Sequence, residues 1–369
     1  MSAPATAYTR LCTQLCTITQ LQRASAVLGW DQTVMMPQTD AAHSARGKQM
    51  EALAGVLHGK ATDPVLGQLL EAAELEPLEA EGFLVVREAR REFDRQVAIP
   101  AGLAQRSAAL EAEAYSVWVE ARAKSSFATF RPVLERCFGV AREQAQCRAD
   151  RLGISAPLYN SCLDSFERGM SCDRIDEIFL LLRKRLQPLI SRVLDSPHAP
   201  SDAPLCGVHS AESQMNLNRE IATAIGFPIT DGARLDLSVH PFSTSFSPAD
   251  VRITTRVTET AWQHALGGTM HESGHSFYEM GLGDSALPTD QALSMGVHES
   301  QSLFWERHVG LSREFWSWAG PRVRSALSLD PVICTDDALY GAVNRVGRGM
   351  IRVEADELTY PMHVILRYE

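Results

Sequence analysis

The sequence has no long apolar run. None of its stretches approaches the roughly 20 residues that a helix needs to cross a bilayer, so a membrane-spanning protein is not expected. The N-terminus, Met1-Ser2-Ala3-Pro4-Ala5-Thr6, lacks a basic segment followed by an apolar one, and the cytoplasm is the expected location. Excess positive charge is missing too. Lys and Arg number 35 against 45 Asp and Glu, a net charge of -10, which argues against nucleic acid and against an anionic membrane surface as partners. Cysteine is sparse, eight in 369 residues, and Cys12 and Cys16 stand four apart. Neither a disulfide framework nor a Cys-x-x-Cys redox motif is suggested, and the cysteines are expected to be small buried apolar residues. No repeat period or low-complexity tract occurs, which excludes solenoids and propellers.

What is present is a chain with 45% hydrophobic residues, enough for a large core. Apolar residues recur at helical spacing from Tyr8 to about Val27, followed by a turn near Trp30. The Met35-Met36-Pro37 break precedes a second helix from near Ala41. Strong helix formers dominate from Pro64 to about Ala128, and Pro132 to about Arg151 and Ile175 to about Val193 read as further helices. Three prolines between Asp195 and Pro204 mark a soft internal division at 195–206, between an N-terminal helical half and a second half, within one domain spanning 1–369. Past it, Glu212 to about Ile225 is helical. The period then changes: Arg234 to Val239 and Asp250 to Val257 alternate as strands, predicting a small antiparallel β-sheet beside a helix from Arg256 to Glu279. A strand edge there suits an extended peptide. The fold class is mainly α.

The stretch His271-Glu272-Ser273-Gly274-His275 carries the chemistry. On a helix, residues four apart share a face, so His271 and His275 can offer imidazole nitrogens to one metal ion while Glu272 projects beside it. A hydrolytic zinc needs a third protein ligand and an open position for water. Glu299, 24 residues after His275, is the preferred candidate, on a second helix that the glycines at Gly281 and Gly283 allow to fold back. His298 and Glu306 compete for the ligand role or serve to orient a ligand imidazole. Water is then the nucleophile, activated by the metal, and Glu272 the general base. Five of the eleven histidines fall between His264 and His308, and glycines at Gly267, Gly268 and Gly274 ask for close packing or substrate approach, since each costs about 1 kcal/mol in a helix.

His240-Pro241-Phe242, Asp250-Val251-Arg252-Ile253-Thr254, His271-Glu272-Ser273-Gly274-His275, His298-Glu299-Ser300-Gln301-Ser302 and Ile351-Arg352-Val353-Glu354-Ala355-Asp356 resemble, in order, successive signatures of the carboxypeptidase Taq family of metallocarboxypeptidases. Trp30-Asp31 and Met35-Met36-Pro37 join the resemblance, which runs nearly the whole chain. It implies a multi-helix fold with a deep central groove, of the neurolysin and angiotensin-converting-enzyme type, a homodimer, and removal of C-terminal residues from peptide substrates with broad preference. It also implies zinc, or cobalt in some members, held by His271, His275 and Glu299, with Glu272 as base. Arg352, Arg252 and His240 become candidates for substrate binding, Arg352 as the anchor of the terminal carboxylate, which a guanidinium grips with two parallel charge-assisted hydrogen bonds. Spacing alone favours an ion pair of Arg352 with Glu354 or Asp356 and a structural role for Arg252, and it leaves His240 equally a donor to a substrate carbonyl or part of a packed turn.

Members of that family continue well past the point that aligns with Glu369, and their further signature Gly-x-x-Gln-Asp-x-His-Trp is absent from the 369 residues. The expectation is therefore a C-terminally truncated chain. Two other readings accompany the leading one: a zinc endopeptidase or oligopeptidase with the same core, and a truncated, catalytically silent metal-binding protein.

Overall fold

Met35-Met36-Pro37 ends the first helix in the computed structural model, which describes residues 5–229 and 231–369. Met1 to Pro4, read above for a targeting signal, lie outside the described residues. In chain order the elements are α1 (Ala7–Val34), α2 (Asp40–Ala61), α3 (Pro64–Ala73), α4 (Ala80–Val97), α5 (Ala101–Ala123), α6 (Phe127–Leu152), α7 (Tyr159–Leu163), α8 (Cys172–Leu194), α9 (Ala211–Ala224), β1 (Arg234–Leu237), β2 (Ser243–Ser247), β3 (Asp250–Thr255), α10 (Trp262–Met280), α11 (Met295–Leu303), α12 (Arg313–Leu327), α13 (Asp336–Val343) and α14 (Tyr360–Tyr368). The protein is mainly helical, as its composition predicts. No helix among the described residues is long and apolar enough to cross a membrane.

The chain divides into two compact units that alternate along the sequence: residues 1–21, 51–174 and 285–291 form one, and 22–50, 175–284 and 292–369 the other. The first unit packs α3 and α4 through Leu66, Leu69, Leu70, Val86 and Ala89 against Leu11 and Ile18. Asp63 caps α3 by accepting from Val65 N at 2.8 Å, with Pro64 in the first turn where its missing N–H costs nothing. Pro132 does not open a helix: α6 begins at Phe127 and carries Pro132 early in its length. Likewise α1 continues through Trp30 rather than turning there.

The second unit holds the site. Its core joins α9, α10, α12 and α13 through Leu217, Ile221, Trp262, Met270, Trp316 and Leu339. The segment 195–206 lies inside this unit. Beside α10 stands a three-stranded sheet of order β1-β3-β2. The two strands expected from the alternation do pair, but in parallel, with Leu235 opposite Ile253. β2 supplies the antiparallel partner of β3, with Thr244 opposite Arg252. The sheet is therefore mixed. Alternation identifies a strand without giving its direction, and the segment between β1 and β3 is long enough to let the chain return on the far side. Only Cys334 of the eight free cysteines is fully buried. Most of the others sit half-exposed, correcting the expectation of wholly buried thiols.

Candidate metal centre

α10 begins at Trp262, after a loop over 256–261, and is bolted to the sheet by small polar side chains. Thr255 of β3 donates to Ala265 O at 3.0 Å and Ser276 shares a 3.0 Å hydrogen bond with Ser243 of β2, while Thr269 donates to the same Ala265 O within α10 at 2.8 Å. Thr255, Thr269, Ser273 and Ser276 are all fully buried. This fixes the rotation of α10, so the face bearing His271, Glu272 and His275 cannot wander.

α11 approaches that face closely. A Cβ on Gly274 would stand 2.5 Å from Gln301 O and 2.7 Å from Ser302 Cα, so glycine is required there by the crossing of two backbones. At Gly267 an added Cβ would meet nothing within 4 Å, and at Gly268 only Thr255 Oγ1 at 3.7 Å and Pro241 Cγ at 3.8 Å, so neither shows a comparable approach. Ser294 caps α11 by accepting from Val297 N at 3.1 Å, and Glu299 follows one turn later. α11 then widens into a π-helical turn over Phe304–Val309 that carries Glu306 and Arg307. Such turns frequently accompany functional sites.

The result is a converging set of donors. Ligand atoms of His271, His275 and Glu299 all lie within 4.8 Å of one another. His271 Nε2 is 3.7 Å from Glu299 Oε1, and His275 Nε2 is 3.4 Å from Glu299 Oε2. Both opposite ring nitrogens are occupied: His271 Nδ1 lies 2.8 Å from Glu306 Oε2, and His275 Nδ1 lies 3.1 Å from His298 O. An Nδ1–H donated outward leaves the Nε2 lone pair facing inward, the tautomer a ligand imidazole needs. Two imidazoles and a carboxylate with this orientation fit a divalent cation such as zinc.

His298 does not join the donor set. Its Nε2 lies 2.8 Å from Glu279 Oε1, and its ring stacks on His275 with centroids 4.4 Å apart. Glu306 orients His271 and is not one of the converging ligand groups.

Glu272 is buried at 6% exposure. Burial pushes its carboxyl up to about 7; His271 opposes the rise, Glu299 and Glu306 add to it, and His298 opposes it weakly. Glu299 moves the other way, held below the usual carboxylate range first by its contact with His275, with burial opposing and the neighbouring histidines assisting. For His271 burial disfavours the charged form, yet the bond to Glu306 and the surrounding carboxylates outweigh it and raise its pKa.

These groups open onto a cavity of about 590 Å³ within the second unit, lined also by His240, Pro241, Arg307, Arg352 and Tyr360. Arg352 stands in a short turn over Arg352–Glu354 and donates from Nη1 to Tyr360 Oη at 2.9 Å. It makes no ion pair with Glu354 or Asp356. Asp356 is engaged instead by Gly347 N, Leu358 N and Thr359. His240 lines the cavity, with its own Nδ1 2.7 Å from Pro241 O.

Arg252 is not brought to the cavity. Its guanidinium forms a two-pronged pair with Asp250, both distances 2.9 Å, and lies over Trp30 at 4.4 Å and Phe246 at 4.7 Å. No residue of β2 lines the cavity either, only His240 and Pro241 just before it. Arg307 and Tyr360 do line it, and no local pattern in the sequence marks either one.

A model of the carboxypeptidase Taq (M32) metallopeptidases matches residues 10–369. Thermostable carboxypeptidase 1 of Thermus thermophilus is 38% identical over 360 residues, covering 95% of this chain and 70% of that protein. Carboxypeptidase 1 of Bacillus subtilis is 31% identical over 359 residues, covering 95% and 70%. Among solved structures, the M32 carboxypeptidase of Deinococcus radiodurans R1 superposes with a TM-score of 0.91 at 33% identity, over 98% of this chain and 72% of that one. Pyrococcus furiosus carboxypeptidase does so with a TM-score of 0.92 at 31% identity, over 100% and 73%.

Proposed function

The chain belongs to the carboxypeptidase Taq (M32) metallopeptidase family and is a metallocarboxypeptidase, and from its cavity we propose that it removes C-terminal residues from peptides of broad sequence with zinc as the working metal. His271, His275 and Glu299 would hold the ion, with cobalt as an alternative occupant. When bound, zinc supplies Lewis acidity to the scissile carbonyl and brings the pKa of water into the neutral range.

The remaining roles fall to side chains. Glu272 takes the proton of the attacking water and passes it to the leaving amine. Burial pushes its carboxyl up to about 7 in the metal-free protein, and a bound cation would favour the ionised form that accepts the proton; burial also keeps the group ready to hold that proton for the leaving amine. Glu306 and the carbonyl of His298 hold the two imidazoles in their ligand tautomers. Arg352 receives the substrate's terminal carboxylate, and His240, lining the same cavity, donates to a substrate carbonyl.

The observation that carries the reading is the sharing of one cavity by Glu272, Glu299 and Arg352: a base, a metal ligand and a cation not paired with any described carboxylate. A carboxypeptidase that works through a metal-activated water uses all three. The reading also takes a second copy of the chain as oligomeric partner and the cytoplasm as its setting; sedimentation of the purified protein tests the former. The mechanism is tested by Glu272→Gln, which should keep stoichiometric zinc and lose turnover. Undiminished turnover in that variant would refute the assigned base.

A further inference from the structure

A guanidinium that must grip a carboxylate faces a conflict. An acidic neighbour would orient it but would also neutralise it. Arg352 is oriented by a neutral group. Its Nη1 donates to Tyr360 Oη at 2.9 Å, no described carboxylate forms an ion pair with it, and its buried Nε has no hydrogen-bond partner. The nearest contrast is Arg307, on the same ring. Its Cζ lies 4.6 Å from the Tyr360 ring centroid, against 5.7 Å for Arg352. Arg307 is paired, with Glu357 Oε2 at 2.5 Å from Nη1 and Glu306 Oε2 at 3.8 Å from Nε.

Tyr360 itself is held firmly. It opens α14, and its backbone N donates to Asp356 O at 2.9 Å. The Asp356 carboxylate also receives Leu358 N, Thr359 N and Thr359 Oγ1 at 2.8–3.0 Å. The ring thus rises from a turn pinned by several hydrogen bonds. Arg307, over the same ring, reaches Glu306, which receives His271 at 2.8 Å. A continuous path of contacts runs from a candidate metal ligand to the candidate anchor.

We propose that Tyr360 is a positioning residue: its hydroxyl aims the Arg352 guanidinium into the cavity without neutralising it, while its ring face seats Arg307 and so registers the anchor against the metal side. The proposal rests on the reading of Arg352 as the carboxylate anchor. A phenol donates and accepts without carrying charge at neutral pH, so it orders Arg352 while leaving its positive charge for the substrate. Peptides with a free C-terminal carboxylate are the ligands whose binding depends on it; C-terminal amides are not.

The test uses Tyr360→Phe, which keeps the ring and its contact with Arg307, beside Arg352→Lys and the double variant. The probe is an N-acetylated dipeptide, as free acid and as C-terminal amide, titrated calorimetrically into metal-free protein. Tyr360→Phe should weaken binding of the acid about tenfold, the effect of one charge-assisted hydrogen bond, and leave the amide unchanged. In zinc-loaded protein the loss should fall on KM more than on kcat. The double variant should bind the acid no worse than Arg352→Lys alone. If Tyr360→Phe weakens acid and amide alike, or neither, while Arg352→Lys abolishes the preference for the acid, the role of Tyr360 is wrong and the anchor stands. If Arg352→Lys leaves that preference intact, the anchor itself is wrong and the proposal goes with it.

Discussion

His271 faces Glu306 across 2.8 Å through Nδ1, and that bond is what turns its Nε2 toward Glu299. The α10 helix supplies the imidazole and the π-helical turn after α11 supplies the carboxylate. Removing the carboxylate with Glu306→Ala should free the ring to rotate. Metal affinity, measured by competition with a chromogenic chelator, should fall about 10- to 100-fold, the usual range for loss of an outer-sphere acceptor. Unchanged affinity would show that the ring is held by packing alone.

Gly274 permits the close crossing of α10 and α11. Alanine there would place a methyl 2.5 Å from Gln301 O, and neither backbone can yield without moving Glu299 away from the histidines. Gly274→Ala should cost about 1–3 kcal/mol, as overpacking does, visible as a lower Tm of the metal-free protein. It should also weaken metal binding. Gly267→Ala, where an added Cβ meets nothing within 4 Å, should do neither.

The buried carboxyl of Glu272 makes the stability of metal-free protein pH-dependent. Its folded pKa of about 7 lies above the ordinary 4.5, so the folded state binds the proton more tightly than the unfolded state. The protonated form is tolerated at low pH, and stability is lost as pH rises from near 4.5 through about 7. By pH 8 the charged carboxylate should cost about 3 kcal/mol. Urea unfolding of metal-free Glu272→Gln should therefore show a gain over the parent at pH 8 that disappears at pH 4. Zinc should shrink the gain at pH 8, because an adjacent cation favours the ionised carboxylate.

Chelation should abolish activity, and zinc or cobalt should restore it. Binding to the folded state alone adds about 4 kcal/mol when free metal is 1,000-fold above Kd. Tm should rise with metal concentration in the parent and much less in His275→Ala, as followed by calorimetry.

The helical face of His271, Glu272 and His275 was legible because one helical period fixes it, and Glu299 because a glycine-terminated helix leads to a second carboxylate-bearing one. Other features were not. Alternation marked β1 and β3 as strands but could not give their relative direction. Arg252 sits in a motif, yet its fate is decided by Trp30, distant in sequence and adjacent in space. Arg352 looked like a partner for Glu354 or Asp356, but Asp356 is consumed by backbone amides and Arg352 turns to Tyr360. The orientation of Glu306 depends on a π-helical turn that carries no sequence signal of its own.

The account stands most directly on what the zinc-loaded protein does to one peptide offered with a free C-terminal carboxylate and again as its C-terminal amide, with products followed by mass spectrometry. Single residues should leave the free acid stepwise from its C-terminus while the amide persists, and Glu272→Gln should leave both intact. Equal cleavage of the amide, or cuts inside the peptide, would contradict the account.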